Sequence, residues 1–219
     1  MRVLADIQRL LVGIYDLEPA LDVRDFVVTR RAQLPAEANV GAEAQDEALL
    51  VAALPGELAI SLFLDAALLG RLEHHDPLAR LDGDNLADWW TALEGVSHFL
   101  YLVHNATHDR DVDRLELELQ AEVDKYVGTL FVLRSQAPVR RPFELHPLLF
   151  TRTRIDPQRA GTHVDLYAAA SRQAARFCRK VEQGLTRVSE PIANAALCEL
   201  RRFYRWSSRR KLEHIAALA

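Results

Sequence analysis

The side chains best able to do chemistry lie in the middle of the chain. Glu94, His98, Tyr101 and Asn105 recur at spacings of three and four, so on a helix they share one flank. Glu118 and Glu122 share a flank in the same way. Between the two sets, Asp109-Arg110-Asp111 interrupts the apolar pattern, which implies two long helices, Leu86 to about His108 and Val112 to about Leu133, folded as an antiparallel hairpin. With the connection centred near residue 110, position 98 stands level with position 122. Carboxylates and an imidazole facing each other across a helix pair can ligate iron, manganese or zinc, and the expected ligands are Glu94, His98, Glu118 and Glu122. The pattern departs from that of di-iron carboxylate bundles, which carry Glu-x-x-His twice; here the spacing is Glu94-x-x-x-His98, and it occurs once. The competing reading is a flank of salt bridges and hydrogen bonds between the helices.

Other histidines carry weaker signals. His104 and His108 stand four apart but lack the general base of the His-Glu-x-x-His signature, and His104 falls on the core face of its helix. His108 and the His74-His75 pair fall at helix C-termini, where the helix dipole favours imidazolium.

The second constellation is basic. One C-terminal helix carries Arg172, Arg176, Arg179 and Lys180. The last carries Arg201, Arg202, Arg205, Arg209, Arg210 and Lys211, interleaved with Phe203, Tyr204 and Trp206. Guanidinium forks pair with phosphate and aromatic rings stack on bases, so Arg172, Arg176, Arg179, Arg202, Arg205, Trp206, Arg209 and Arg210 could form a nucleic-acid or polyanion face. The same arginines could instead dock on an acidic surface. A third group, Arg152, Arg154, Arg159 and Thr162 around the start of a helix, has the makings of an anion contact. No P-loop, dinucleotide fingerprint or Gly-x-Ser-x-Gly elbow is present, so no nucleotide site or hydrolase triad is expected.

The charge is strongly polarised. Residues 1–125 hold 10 Lys and Arg against 24 Asp and Glu, whereas 126–219 hold 17 against 7. This layout suits either an exposed polyanion site or docking of one half on the other or on an acidic partner.

The elements that must position these groups follow from periodicity. Val3, Ile7, Leu10, Leu11 and Ile14 mark a first amphipathic helix, and Phe26 to Arg30 a short strand. Residues 48–54 and 57–64 flank Pro55-Gly56 as a hairpin, followed by a helix capped by Asp65. Leu148 to Ile155 reads as extended. Helices of about 163–185 and from Ser189 to near the C-terminus complete the chain, the first capped by Thr162 and the second by Ser189 with Pro191 in its first turn. The fold expected is α+β and predominantly α-helical: a small N-terminal antiparallel β-sheet of about three strands plus a bundle of at least four helices. Residues 1–84 would form the sheet region and 85–219 the bundle, as one unit. Cys178 and Cys198 lie at similar heights if the last two helices pair, and both read as buried reduced thiols.

The 219 residues, 49% hydrophobic and 26% charged, are ordinary globular composition, with no stretch long and apolar enough for a membrane span and no secretory leader pattern. A cytoplasmic protein without a disulfide scaffold is the expectation. For function, the charge layout points first to a non-enzymatic interaction or adaptor protein that engages a protein partner or itself. Nucleic-acid binding through the C-terminal helices is the first alternative. A helical-bundle metalloenzyme built on the central hairpin is the second.

Overall fold

The computed structural model describes residues 1–19, 21–34, 46–54, 57–137, 145–152, 164–185 and 190–218. Helix α1 (Arg2–Tyr15) follows its apolar spacing, with Val3, Leu4, Ile7, Leu11 and Ile14 buried. It ends at Asp16, whose φ of 55° is a left-handed turn, and the Leu17 amide reaches back to the Val12 carbonyl at 3.1 Å.

After a tight turn over Val23–Phe26 come β1 (Val27–Val28), β2 (Glu47–Leu54) and β3 (Glu57–Leu64). β2 and β3 form the expected antiparallel hairpin, Glu47 opposite Leu64 and Leu54 opposite Glu57. The sheet order is β1-β3-β2, and β1 runs parallel to β3, Val27 facing Leu62 and Val28 facing Phe63. The sheet is therefore mixed, not antiparallel throughout. A two-residue strand offers no pattern that sets its direction, and residues 29–46 separate it from the hairpin, so no tight turn forces antiparallel pairing.

Asp65 caps α2 (Ala66–His74) by accepting from the Ala67 amide at 2.8 Å. The Asp82–Asn85 turn is closed by Asn85, which accepts from the Asp82 amide at 3.0 Å and donates to the Arg80 carbonyl at 2.8 Å. From it start α3 (Leu86–Ala106) and, after Asp113 as cap, α4 (Arg114–Gln136). Trp89 and Trp90 both donate to Thr129 Oγ1 at 3.0 Å, and Tyr101 meets Glu116, so the two helices run antiparallel as expected. Gly128 lets them close up: a Cβ there would stand 2.8 Å from Leu93 Cδ1.

This hairpin is the centre of the molecule. α1, α2 and the hairpin strands pack on α3, while α6 (Val164–Leu185) packs on α4. Neither central helix keeps a solvated face in its middle: every residue from Gly95 to Tyr101 is buried, as is every residue from Val123 to Leu130. Both helices are thus buried all round in their middles, wider than a single apolar stripe would give. The flank carrying Ser97, His98, Tyr101 and Asn105 is buried as well, and its polar groups need partners inside the protein.

A short α5 (Leu145–Pro147) runs into a π-helical turn over Leu148–Arg152, where an extended segment was expected. The last expected helix is two helices, α7 (Glu190–Arg205) and α8 (Ser208–Ala216). The break falls at Ser207, whose ψ of 159° leaves the helical region and which takes the N-cap position of α8. The basic and aromatic residues from Arg201 to Lys211, expected on one helix, are therefore divided between α7 and α8 and do not form one helix face. One apolar core draws on α1, β3, α2, α3, α4, α6, α7 and α8. Cys178 is buried and Cys198 exposed, both as free thiols, so the expectation of a buried thiol holds only for Cys178. The caps expected from Thr162 and Ser189 lie outside the described residues.

Candidate metal centre

α3 presents Glu94 and His98 on successive turns, and α4 presents Glu118 across from them. One ligand atom from each of these three residues lies within 4.8 Å of the others. His98 Nε2 is 3.6 Å from Glu118 Oε2, and His98 Nδ1 is 3.5 Å from Oε1 of Glu47, the first residue of β2. Both separations exceed hydrogen-bond length. The His98 side chain is only 7% exposed and that of Glu118 8%. His98 Nε2 and Glu47 Oε1 are enclosed and have no hydrogen-bond partner. Buried polar atoms in folded proteins are nearly always paired, so these two need a reason. Two ligands each about 2.1 Å from one ion and about 110° apart stand about 3.4 Å from each other. The His98–Glu118 separation is close to that edge.

Electrostatics favour a cation here. Burial alone would lower the His98 pKa, but Glu118 and Glu47 outweigh it and hold the imidazole well above its ordinary value. Burial pushes the Glu47 carboxyl up. Lys125 donates to Glu94 Oε2 at 2.9 Å and pairs with Glu122; these two carboxylates hold its ammonium charged against burial. Arg114, one turn before Glu118, donates to the Tyr167 hydroxyl at 3.1 Å and lies over its ring. Among the described residues, Glu47, Glu94, Glu118 and Glu122 thus stand around the Lys125 ammonium and the His98 imidazole.

The structure brings together three of the four expected ligands and not the fourth. Glu122 is taken by Lys125, its neighbour at i+3 on the same helix. Counting outward from the connection sets position 98 level with 122, but the α4 carboxylate that reaches His98 is Glu118, one turn nearer the connection. Glu47 was not expected at all. It belongs to a strand, and no helical spacing links it to His98. Gly95 is what admits it: a Cβ at that position would stand 2.9 Å from Glu47 Cγ.

A second buried polar cluster lies further along the hairpin. Asp124 accepts from Ser97 at 2.6 Å, from Gln120 at 2.8 Å and from Tyr15. Lys211 of α8 donates to Gln120 Oε1 at 2.7 Å and to the Tyr101 hydroxyl at 2.8 Å. Glu116 accepts from Tyr101, Arg110 and the Ser208 amide. Burial raises the Asp124 carboxyl to about 6 and holds Lys211 well below its ordinary value. Asp124, Gln120, Lys211 and Tyr101 satisfy one another, so the cluster fastens α8 to the hairpin. By sequence Lys211 groups with the surface arginines. The signal that places it inside is its i, i+4 spacing to buried Ile215.

The basic residues divide into two groups. Arg205 donates to the Tyr15 carbonyl at 3.0 Å and the Asp16 carbonyl at 2.9 Å, and Arg201 to the Ile14 carbonyl at 3.1 Å. They complement the C-terminus of α1, where carbonyls lack helical partners. Arg172, Arg176 and Arg179 on α6 are exposed, as are Arg202, Arg209 and Arg210. Arg210 stacks over half-buried Trp206 at 4.8 Å, and Arg209 is 3.9 Å from Glu213. Among the described residues none of these six pairs with an acidic residue of positions 82–124. The acidic and basic halves do meet, but among the described residues they do so mainly through backbone carbonyls and the buried Lys211. The side chain of Arg152, and all of Arg154, Arg159 and Thr162, lie outside the described residues.

The rings of His104 and His108 are tilted against each other with centroids 4.5 Å apart, and His108 Nδ1 is 2.7 Å from the His104 carbonyl. Burial, with His108 and two arginines nearby, lowers His104 to about 4, so it is a neutral packing group at physiological pH. Both line an open pocket of about 360 Å³ with Leu100, Val103, Thr107 and Arg205, apart from the Glu–His cluster. Among the described residues no helix is long and apolar enough to cross a membrane. No family model, no curated protein and no solved structure matches this chain.

Proposed function

We propose that this protein binds one divalent transition-metal ion between α3 and α4, with Glu94, His98 and Glu118 as ligands. The observation that carries the reading is His98 Nε2, enclosed, without a hydrogen bond, and 3.6 Å from Glu118 Oε2. Two carboxylates with one imidazole suit manganese, iron or zinc. The Glu94 side chain is 26% exposed, so the cluster approaches solvent on that side. Three protein ligands and an open position are the arrangement of metal sites that take a water or substrate, not of closed structural sites. The competing reading is an imidazolium ion pair, with His98 bridging Glu47 and Glu118 and no ion bound. Protein stripped with chelator and titrated separately with Mn²⁺, Fe²⁺ and Zn²⁺ separates the two. One ion per chain is expected, lost in His98→Gln and Glu118→Gln. No binding of any of the three by the wild type would leave the ion pair standing.

A second reading rests on a different observation, the exposed arginines of α6. Arg172, Arg176 and Arg179, with Arg202, Arg209 and Arg210, would engage an acidic protein surface, a second copy of the chain, or a nucleic acid.

A further inference from the structure

We infer that Glu47 is the outer carboxylate of the metal centre, the group that holds the Nδ1–H of His98 so that Nε2 turns its lone pair towards the ion. The inference rests on the metal reading above. A histidine ligand uses one ring nitrogen for the metal, and the hydrogen bond made by the other fixes its tautomer and ring orientation. Here the two ring nitrogens face different carboxylates: Nε2 faces Glu118 and Nδ1 faces Glu47 Oε1 at 3.5 Å. Glu47 is not one of the three residues whose ligand atoms cluster, which puts it outside the ligand set and behind the imidazole. Its Oε1 is enclosed and has no hydrogen bond, so its capacity to accept is unspent. A small closing movement of the ring or strand would complete the bond.

The site also shows how the fold makes room for this carboxylate. Glu47 opens β2, where the Asp65 amide donates to the neighbouring Asp46 carbonyl at 2.9 Å and pins the strand end beside the start of α2. Gly95, between Glu94 and His98 on α3, leaves the space the side chain crosses. A Cβ there would meet Glu47 Cγ at 2.9 Å, Leu62 Cδ1 at 3.0 Å and Glu47 Oε1 at 3.3 Å. Glu47 is therefore a positioning residue that couples the small sheet to a centre built on the helices.

The test compares Zn²⁺ affinity and imidazole NMR of the wild type with Glu47→Leu, Glu47→Gln and Gly95→Ala. Wild type loaded with Zn²⁺ is expected to show His98 protonated at Nδ1 and metal-bound at Nε2. Loss of an outer-shell partner typically weakens a metal site about 10–100-fold, and Glu47→Leu is expected in that range with a folded circular-dichroism spectrum. Glu47→Gln keeps an oxygen that can accept from Nδ1–H and is expected to recover part of the loss. Gly95→Ala is expected to weaken binding by displacing Glu47, with little further loss when added to Glu47→Leu. Folded Glu47→Leu with wild-type affinity, or His98 bound through Nδ1, overturns this inference alone. A wild type that binds no Zn²⁺, Mn²⁺ or Fe²⁺ overturns the metal reading and this inference with it.

Discussion

His98 and Glu118 face each other across the central helical hairpin at 3.6 Å, too far for a hydrogen bond and close to the spacing of two ligands on one ion. An ion that binds the folded chain and not the unfolded one stabilises it by mass action. At 100 times the dissociation constant the gain is about 2.7 kcal/mol. For a chain of this length that corresponds to a rise in Tm of about 5–10 °C. The shift is expected for wild type and for Glu122→Gln, whose carboxylate serves Lys125. It is expected to vanish in Glu118→Gln. Differential scanning fluorimetry with and without the metal checks this, and equal shifts in Glu118→Gln and wild type would remove Glu118 from the ligand set.

Asp124 lends the protein a pH dependence of its own. Burial raises its folded pKa to about 6 from an ordinary 3.8, with Ser97, Tyr15, Gln120 and Lys211 as the groups facing it. A carboxyl raised by folding stabilises the fold while protonated. Its contribution is complete below the unfolded value and is lost as pH rises through about 6. A shift of about two units corresponds to about 3 kcal/mol. Urea unfolding of wild type and Asp124→Asn at steps from pH 4 to 7 isolates the effect. The stability difference is expected to move against wild type by that order as pH rises. A flat difference across the window would mean that Asp124 is not the titrating group.

Lys211 is fully enclosed, and its amine joins Gln120 of α4 and Tyr101 of α3 to α8. Lys211→Met keeps the apolar stem and removes the donor, so the Gln120 and Tyr101 oxygens lose a partner inside the core. The expected cost is about 3 kcal/mol by urea unfolding, the order found when one member of a buried polar pair is removed. Adding Asp124→Asn removes the carboxylate that Lys211 helps to balance and is expected to return part of that loss. Lys211→Met as stable as wild type would show that α8 is held by Phe203, Ile215 and their neighbours alone.

The parts of this arrangement that were legible in the sequence are those that depend on local spacing. The α3–α4 hairpin, the cap at Asp65 and the pairing of β2 with β3 follow from periodicity, turn residues and the two apolar runs. The convergence of Glu94, His98 and Glu118 was legible for the same reason, since i, i+4 spacing and a short connection nearly determine it. What spacing does not encode is which residue of a facing helix wins a partner. Glu122 is lost to Lys125 at i+3, a choice made by side-chain reach. Pairings between distant elements were not legible either. Glu47 arrives from a strand through the space left by Gly95, and β1 takes its direction from tertiary packing. The division of the basic C-terminal residues was not legible, because composition does not tell an outward arginine from one that caps α1, or from a lysine turned inward after the break at Ser207.

That division among the basic residues makes the polyanion reading testable. Arg205 is committed to the carbonyls of Tyr15 and Asp16, so Arg205→Ala is expected to lower thermal stability by loosening α7 from the end of α1. It should leave any affinity for nucleic acid unchanged. Arg172, Arg176 and Arg179 make no such bonds to the described fold, and their joint replacement by Ala is expected to leave stability unchanged. If the α6 face binds phosphate, that triple variant weakens binding to single-stranded or duplex nucleic acid. It also reduces the slope of log K against log salt by about one for each phosphate no longer neutralised. Fluorescence anisotropy at stepped salt concentrations measures both quantities. An unchanged slope in the triple variant, or no binding by wild type at low salt, removes nucleic acid as the partner of this face and leaves an acidic protein surface as the occupant its chemistry would fit.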